Sequence, residues 1–152
     1  MQPPKIGVRP ATAADIPRLG ELLGLLFTQE ADFQPDAERQ TRGLGLIIAQ
    51  PEIGRIYCAT DGELIVGMVN LLFSVSTAEG GRAAWLEDLI VQPDRRGHGI
   101  GDQLLRAAIN EARAAGCLRI TLLTDATNSV AQRFYARAGF VRSQMVPMRL
   151  GL

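Results

Sequence analysis

The sequence predicts an α/β fold of the mixed, α+β kind, with a mostly antiparallel sheet and helices on both faces. Three β-rich segments follow one another mid-chain with short connections, which makes an antiparallel meander. A glycine-rich turn then opens a long helix with a clean 3.6-residue apolar period. A strand follows that helix, and a strand–helix–strand crossover is parallel and right-handed. The predicted order is β-α-α-β-β-β-α-β-α-β.

Each element has its own signal. Lys5–Arg9 alternates and reads as an opening strand. Thr12, with Asp15 three residues on, caps a helix whose stripe is Ile16, Leu19, Leu22, Leu23 and Leu26. A polar stretch, Thr28–Asp36, leads to a second helix, Ala37–Gln50, weakened by Gly43 and Gly45. Arg55–Thr60 and Leu64–Ser74 form a hairpin about Asp61-Gly62. After Glu79-Gly80-Gly81 comes a third meander strand, Ala83–Val91, closed by Pro93. The turn Arg96–Gly101 opens a helix to Ala115, with Ile100, Leu104, Leu105, Ala108, Ile109 and Ala112 on its apolar face. Arg119–Thr124 is a β-branched strand, Asn128 caps a short helix to Ala138, and Phe140–Leu150 supplies final strand material broken by Pro147.

Composition narrows the function classes. A length of 152 residues suits one domain, residues 1–152, and no linker or repeat divides it. Sixteen basic residues balance sixteen acidic ones, so a nucleic-acid partner is disfavoured. Cys58 and Cys117 lie far apart and read as buried thiols, and a single histidine, His98, cannot assemble a zinc site or a histidine triad. No metal is expected. No apolar run reaches a membrane span and no signal-peptide core opens the chain, so a cytoplasmic protein without a membrane partner is expected.

The strongest functional signal is Val91-Gln92-Pro93-Asp94-Arg95-Arg96-Gly97-His98-Gly99-Ile100-Gly101. Alternating glycines let several N–H groups point into one concavity, and the helix start adds partial positive charge, which together suit a pyrophosphate. A ligand-free turn is the bland alternative. A Rossmann fingerprint fails because Asp102 stands where the third glycine belongs, and no Gly-Lys-Ser/Thr makes a Walker loop.

Arg96-x-x-Gly99-x-Gly101 resembles the R/Q-x-x-G-x-G/A signature of the GNAT (GCN5-related N-acetyltransferase) superfamily. The run Leu86–Val91 resembles that family's fourth strand, and Asn128, Ala131, Phe134-Tyr135 and Gly139-Phe140 resemble its second block. The resemblance implies a sheet of about six to seven strands and a phosphate cradle for acetyl-CoA as co-substrate. Its binding residues would be Leu89, Ile90, Val91, Arg96, Gly97, His98, Gly99, Ile100, Gly101 and Asn128. His98 fills an unspecified position and reads as a solvent-facing loop residue ahead of a catalytic one. Arg95 flanks the loop. Arg133 and Arg137 lie one turn apart on the last helix, as surface charges or near a 3′-phosphate.

Acyl transfer from a thioester to an amine needs a base for the ammonium, an aligned pair, oxyanion stabilisation and an acid for the leaving thiolate. By resemblance Tyr135 is the acid, and a core tyrosine with a satisfied hydroxyl is the alternative. Asn128 reads as a helix cap. Glu87 and Asp88 are strand neighbours on opposite faces unless a bulge intervenes. The segment Ser76-Thr77…Gly81-Arg82…Leu86-Glu87-Asp88 resembles the diamine and polyamine branch of the family, in which Glu87 would be the base. A strand carboxylate paired across the sheet is the alternative. Phe27, Glu30 and Asp88 are candidate acceptor-binding residues, and the acids Glu30, Asp32 and Asp36 suit a cation.

The expectation is therefore an N-acyltransferase acting on a small-molecule or peptide amine, with a homodimer as the expected assembly. An acyl-CoA-binding regulatory domain without turnover is the alternative, and a nucleotide-binding oxidoreductase comes third.

Overall fold

A computed structural model describes residues 5–30 and 32–152. Strand β1 (Ile6–Pro10) leads through a 3-10 turn at Ala13–Asp15 into α1 (Ile16–Gln29) and α2 (Ala37–Ala49). Strands β2 (Gly54–Asp61), β3 (Leu64–Ser76) and β4 (Gly81–Val91) follow as the meander. Helix α3 (Ile100–Ala114), strand β5 (Ile120–Leu122) and helix α4 (Ser129–Arg137) complete the order. The sheet runs β1-β2-β3-β4-β5, antiparallel except for the parallel β4–β5 pair.

Strand alternation sends side chains to two cores. On one face Ala59, Val66, Val69, Leu71 and Leu86 meet Leu104, Leu105, Ala108 and Ala112 of α3. On the other, Ile56, Cys58, Ile65, Met68 and Ile90 meet Leu19, Leu22, Leu23 and Leu44 of α1 and α2. Burying each leucine contributes about 2 kcal/mol, so the stripes read from sequence are what fix both helix layers. Burial pushes the Cys58 thiol up to about 11, as suits an inert core residue. Helix α2 forms despite its glycines because Asp36 caps it, accepting from the Arg39 N–H at 3.1 Å. Gln40 then ties it to its neighbours, accepting from the Asp36 N–H at 2.7 Å and donating to the Gly20 carbonyl at 2.9 Å. Among the described residues, no helix is long and apolar enough to cross a membrane.

Two expectations need correction. Phe140–Leu150 forms no strand, and the described residues hold five strands rather than six to seven. Pro147 cannot donate into a ladder, and the apolar side chains beyond Phe140 find no surface of this chain to cover. Strand β5 is also shorter than Arg119–Thr124. It pairs with β4 only at Ala84–Leu86, because β4 changes course beyond that point.

Candidate active site

The change of course is a β-bulge. Asn70 of β3 pairs with Glu87, but Met68 pairs with Ile90, so β4 spends one extra residue. Leu86 and Ile90, four apart, would share a face in a regular strand, yet they belong to opposite cores. Asp88 absorbs the difference with φ of 55°, the one non-glycine residue in the left-handed region among those described. The bulge settles the question of faces: Glu87 and Asp88 line the same cavity. It also parts β4 from β5, leaving the edge of residues 87–91 open on that side. Side chains of Ile90 and Ile100 are buried in the cores, so only their backbones can meet a ligand.

The cavity, of about 570 Å³, lies between this bulge and the α1–α2 pair. Its wall carries four carboxylates (Asp32, Asp36, Glu87, Asp88) against one guanidinium, Arg39, along with Phe27, Phe33 and Asn70. Phe27 and Phe33 pack ring to ring at 5.7 Å. Glu30, the cap residue ending α1, is pushed up to about 7 by burial, then by the charges of Asp88, Asp125 and Glu87. Burial and then Asp88 raise Glu87. Burial raises Asp88, while the Asn70 amide, donating at 3.2 Å, works against that rise. These carboxylates share one field, and all three bind protons more tightly than usual.

Tyr135 stands on α4, wedged edge-on between Phe134 at 5.1 Å and Phe140 at 5.7 Å. Burial and then the Glu30 charge push its phenol up to about 12. Its hydroxyl makes no hydrogen bond with a described residue. By contrast, the Tyr57 hydroxyl donates to Glu111 at 2.8 Å and is a satisfied structural tyrosine. Asn128 spends its side-chain oxygen on the α4 cap, accepting from the Ala131 N–H at 3.0 Å.

The glycine loop has the geometry of a cradle. Gly97 and Gly99 hold φ of 83° and 77°, and the space above each is open. No side chain caps α3, so its first N–H groups remain available to an anion. At Gly101, by contrast, a Cβ would meet the Phe134 ring at 3.5 Å, an ordinary contact. Arg96 donates to the Val91 carbonyl at 3.1 Å, beside the open edge of β4. Arg95 is paired with Asp61 rather than free beside the loop. His98 is exposed, and Arg137 lies over the Phe134 ring at 5.8 Å.

A match to the Acetyltransferase (GNAT) family spans residues 18–140. The chain belongs to that family. An aminoalkylphosphonate N-acetyltransferase of Salmonella typhimurium is 31% identical over 140 residues, covering 92% of this chain and 88% of the relative. An integron cassette protein from the mobile metagenome of Cole Harbour Salt Marsh superposes with a TM-score of 0.83 at 28% identity, covering 95% of this chain and 90% of that one. The fold is also shared with a predicted acetyltransferase from Clostridium acetobutylicum solved with acetyl-CoA, at TM-score 0.78 and 18% identity over 95% and 96% of the chains. This GNAT chain is an acyl-CoA-dependent N-acetyltransferase.

Sequence reasoning missed two residues at the candidate site. Asn70 is buried, and its side-chain oxygen has no partner. Arg149 reaches the cavity mouth from the C-terminal tail, pairing with Asp32 at 2.6 Å and lying over Phe33 at 5.1 Å. Replacing Gly99 with valine is expected to weaken acetyl-CoA binding at least about tenfold, roughly 1.4 kcal/mol, by straining the left-handed backbone and filling the cradle. Calorimetric titration of the folded variant measures it, and unchanged affinity removes the loop from the binding site.

Proposed function

We propose that this chain, as one domain of 152 residues in the cytoplasm, transfers the acetyl group from acetyl-CoA to a primary amine of a small cationic molecule. The backbone of Gly97, Gly99 and the first turn of α3 holds the pyrophosphate, with Arg96 and His98 at its rim. The open edge of Leu89–Val91 takes the pantetheine, and Asn128 orders the loop beside it. Glu87 removes a proton from the acceptor ammonium, directly or through one water. The freed lone pair forms the C–N bond as the C–S bond breaks, and Tyr135 gives its phenol proton to the departing sulfur. The new amide nitrogen sheds its extra proton to restore the phenol, and Glu87 releases the first proton to solvent. No enzyme-bound acyl group is required. Phe27, Glu30 and Asp88 bind the acceptor: the aromatic ring covers its chain and the carboxylates draw its charge.

The observation carrying this reading is the pair Glu87 and Asp88 on one cavity beside the open edge of β4, with Glu30 in the field of both and the unengaged Tyr135 phenol in the field of Glu30. A regulatory domain that only binds acyl-CoA has no use for that arrangement. Four carboxylates on the cavity wall against Arg39 on it and Arg149 at its mouth leave an acidic excess, which favours diamines and other polycations over amines carrying an anion. An amine panel with free-thiol release as the readout tests both steps. Diamines and aminoglycosides are expected to turn over faster than aminophosphonates. Absence of thiol release with every amine, despite tight acetyl-CoA binding, returns the regulatory reading. Preference for an aminophosphonate, the class named for the Salmonella relative, overturns the cationic acceptor.

A further inference from the structure

The wall of the acceptor cavity divides by chemistry. Its carboxylates come from two places: Glu87 and Asp88 from the bulge of β4, and Asp32 and Asp36 from the loop that leads into α2. Leu23, Leu44, Ile47 and Leu72 line much of the remainder with hydrocarbon. Asn70 lines it too, and its buried side-chain oxygen has no donor among the described residues. A cavity that is acidic in two places and apolar elsewhere matches a molecule with two cationic ends joined by methylenes. An amine N–H would also supply the donor that Asn70 lacks.

The two acids of the loop are answered differently. Asp36 has Arg39 of its own helix start at 3.5 Å. Asp32 has Arg149, which arrives from 117 residues along the chain, pairs at 2.6 Å and lies over the Phe33 ring at 5.1 Å. Phe33 is braced in turn by Phe27. A carboxylate beside an aromatic face is a clamp for a ligand cation. Here the tail supplies the cation, and the cavity wall supplies the rest. Little else holds the tail in place. Among the described residues, no backbone hydrogen bond joins the chain beyond Phe140 to its body. The side chains of Arg149 and Asp32 are 52% and 63% exposed, and so exposed a pair yields readily to a competing cation.

We propose that Asp32 and Phe33 form the subsite for the second cation of a dicationic acceptor, and that Arg149 fills this subsite in the free chain as an internal competitor. The inference rests on the cationic-acceptor reading and adds a selecting device to it. An amine with one charge gains nothing by opening the clamp, because its ammonium is already engaged at Glu87. A dication replaces Arg149 charge for charge, so the new contact offsets the release of the tail. Length matters as well. A diamine too short to touch Glu87 and the clamp together holds only one of them.

Calorimetric titration of the full chain with diaminohexane tests the assignment as binding, without turnover. Hexylamine and diaminoethane are the controls, one lacking the second charge and the other the length. Arg149→Gln is expected to tighten diaminohexane about fivefold, the weight of an exposed ion pair with a cation–π contact, and to move both controls less than about twofold. Starting from Arg149→Gln, adding Asp32→Asn is expected to weaken diaminohexane by about the same factor. Equal gains for diaminohexane and hexylamine would make Arg149 a general field and overturn the subsite. Unchanged diaminohexane affinity in Arg149→Gln overturns the competition, as does a parent and variant that both fail to bind it. An Arg149→Gln, Asp32→Asn chain that binds as tightly as Arg149→Gln overturns the clamp. Thiol release from acetyl-CoA with hexylamine, measured alongside, keeps the readings apart. Turnover without a clamp effect spares acetyl transfer to amines, and clamp binding without turnover spares the subsite.

Discussion

Tyr135→Phe is expected to lower turnover about 100-fold or more, the usual weight of a general acid, while leaving acetyl-CoA affinity unchanged. The substitution removes one oxygen and keeps the ring wedged between Phe134 and Phe140, so packing survives. The raised phenol sets the terms of the chemistry. A phenol at about 12 cannot fully protonate a solvated thiolate, whose thiol ionises near ~8.5; the gap of roughly 3.5 pKa units costs about 5 kcal/mol. In the proposed role Tyr135 donates while the C–S bond is breaking, at a site where burial would raise the thiol as well. The phenol stays protonated across the working range, so the parent profile of turnover against pH should show no alkaline loss attributable to Tyr135 below about 11. Stopped-flow thiol release measures the effect. A variant within about threefold of the parent makes Tyr135 a packing residue and water the acid.

What could be read from the sequence follows from how local each signal is. The α3 stripe needed no partner to be recognised, and Ile100, Leu104, Leu105, Ala108 and Ala112 are all buried. Glycines at alternate positions before that helix announced the cradle, since only their backbone freedom gives the concavity. The bulge was not local. Asp88 holds its left-handed backbone because β3 and β4 register on either side of it and Asn70 reaches its carboxylate across the ladder. No one-dimensional alternation carries that information, so the facing of Glu87 and Asp88 stayed open. Arg149 reaches Asp32 across 117 residues of chain, a contact no spacing rule anticipates. The tail shows the converse. Its period-2 pattern reads as a strand, but a strand exists only beside another, and among the described residues none pairs with it.

Glu87→Gln is expected to lower turnover by about 100- to 10,000-fold and to raise the acceptor's KM together, because one carboxylate both takes the proton and draws the cation. Asp88 is the rival, and the bulge argues for a division of labour. The Asp88 carboxylate is held by Asn70 on a backbone with φ of 55°, which makes it a fixed charge. Glu87 makes no hydrogen bond with a described residue and is free to approach the ammonium. Its proton affinity is raised by burial and by Asp88. A base with a raised pKa is protonated and idle at low pH, so kcat/KM should fall along an acidic limb. Glu87→Gln should abolish that limb. Asp88→Asn removes the neighbouring negative charge, which makes Glu87 easier to ionise, so the limb should move to lower pH while most of the turnover remains. Glu30, raised to about 7, is the group able to imitate such a limb. In Glu30→Gln the limb should persist if Glu87 is its source. Rate profiles of the three variants with a diamine acceptor separate the roles. An Asp88→Asn variant without turnover, beside a Glu87→Gln variant with parental rate and profile, would make Asp88 the base and leave Glu87 as the charge that tunes it.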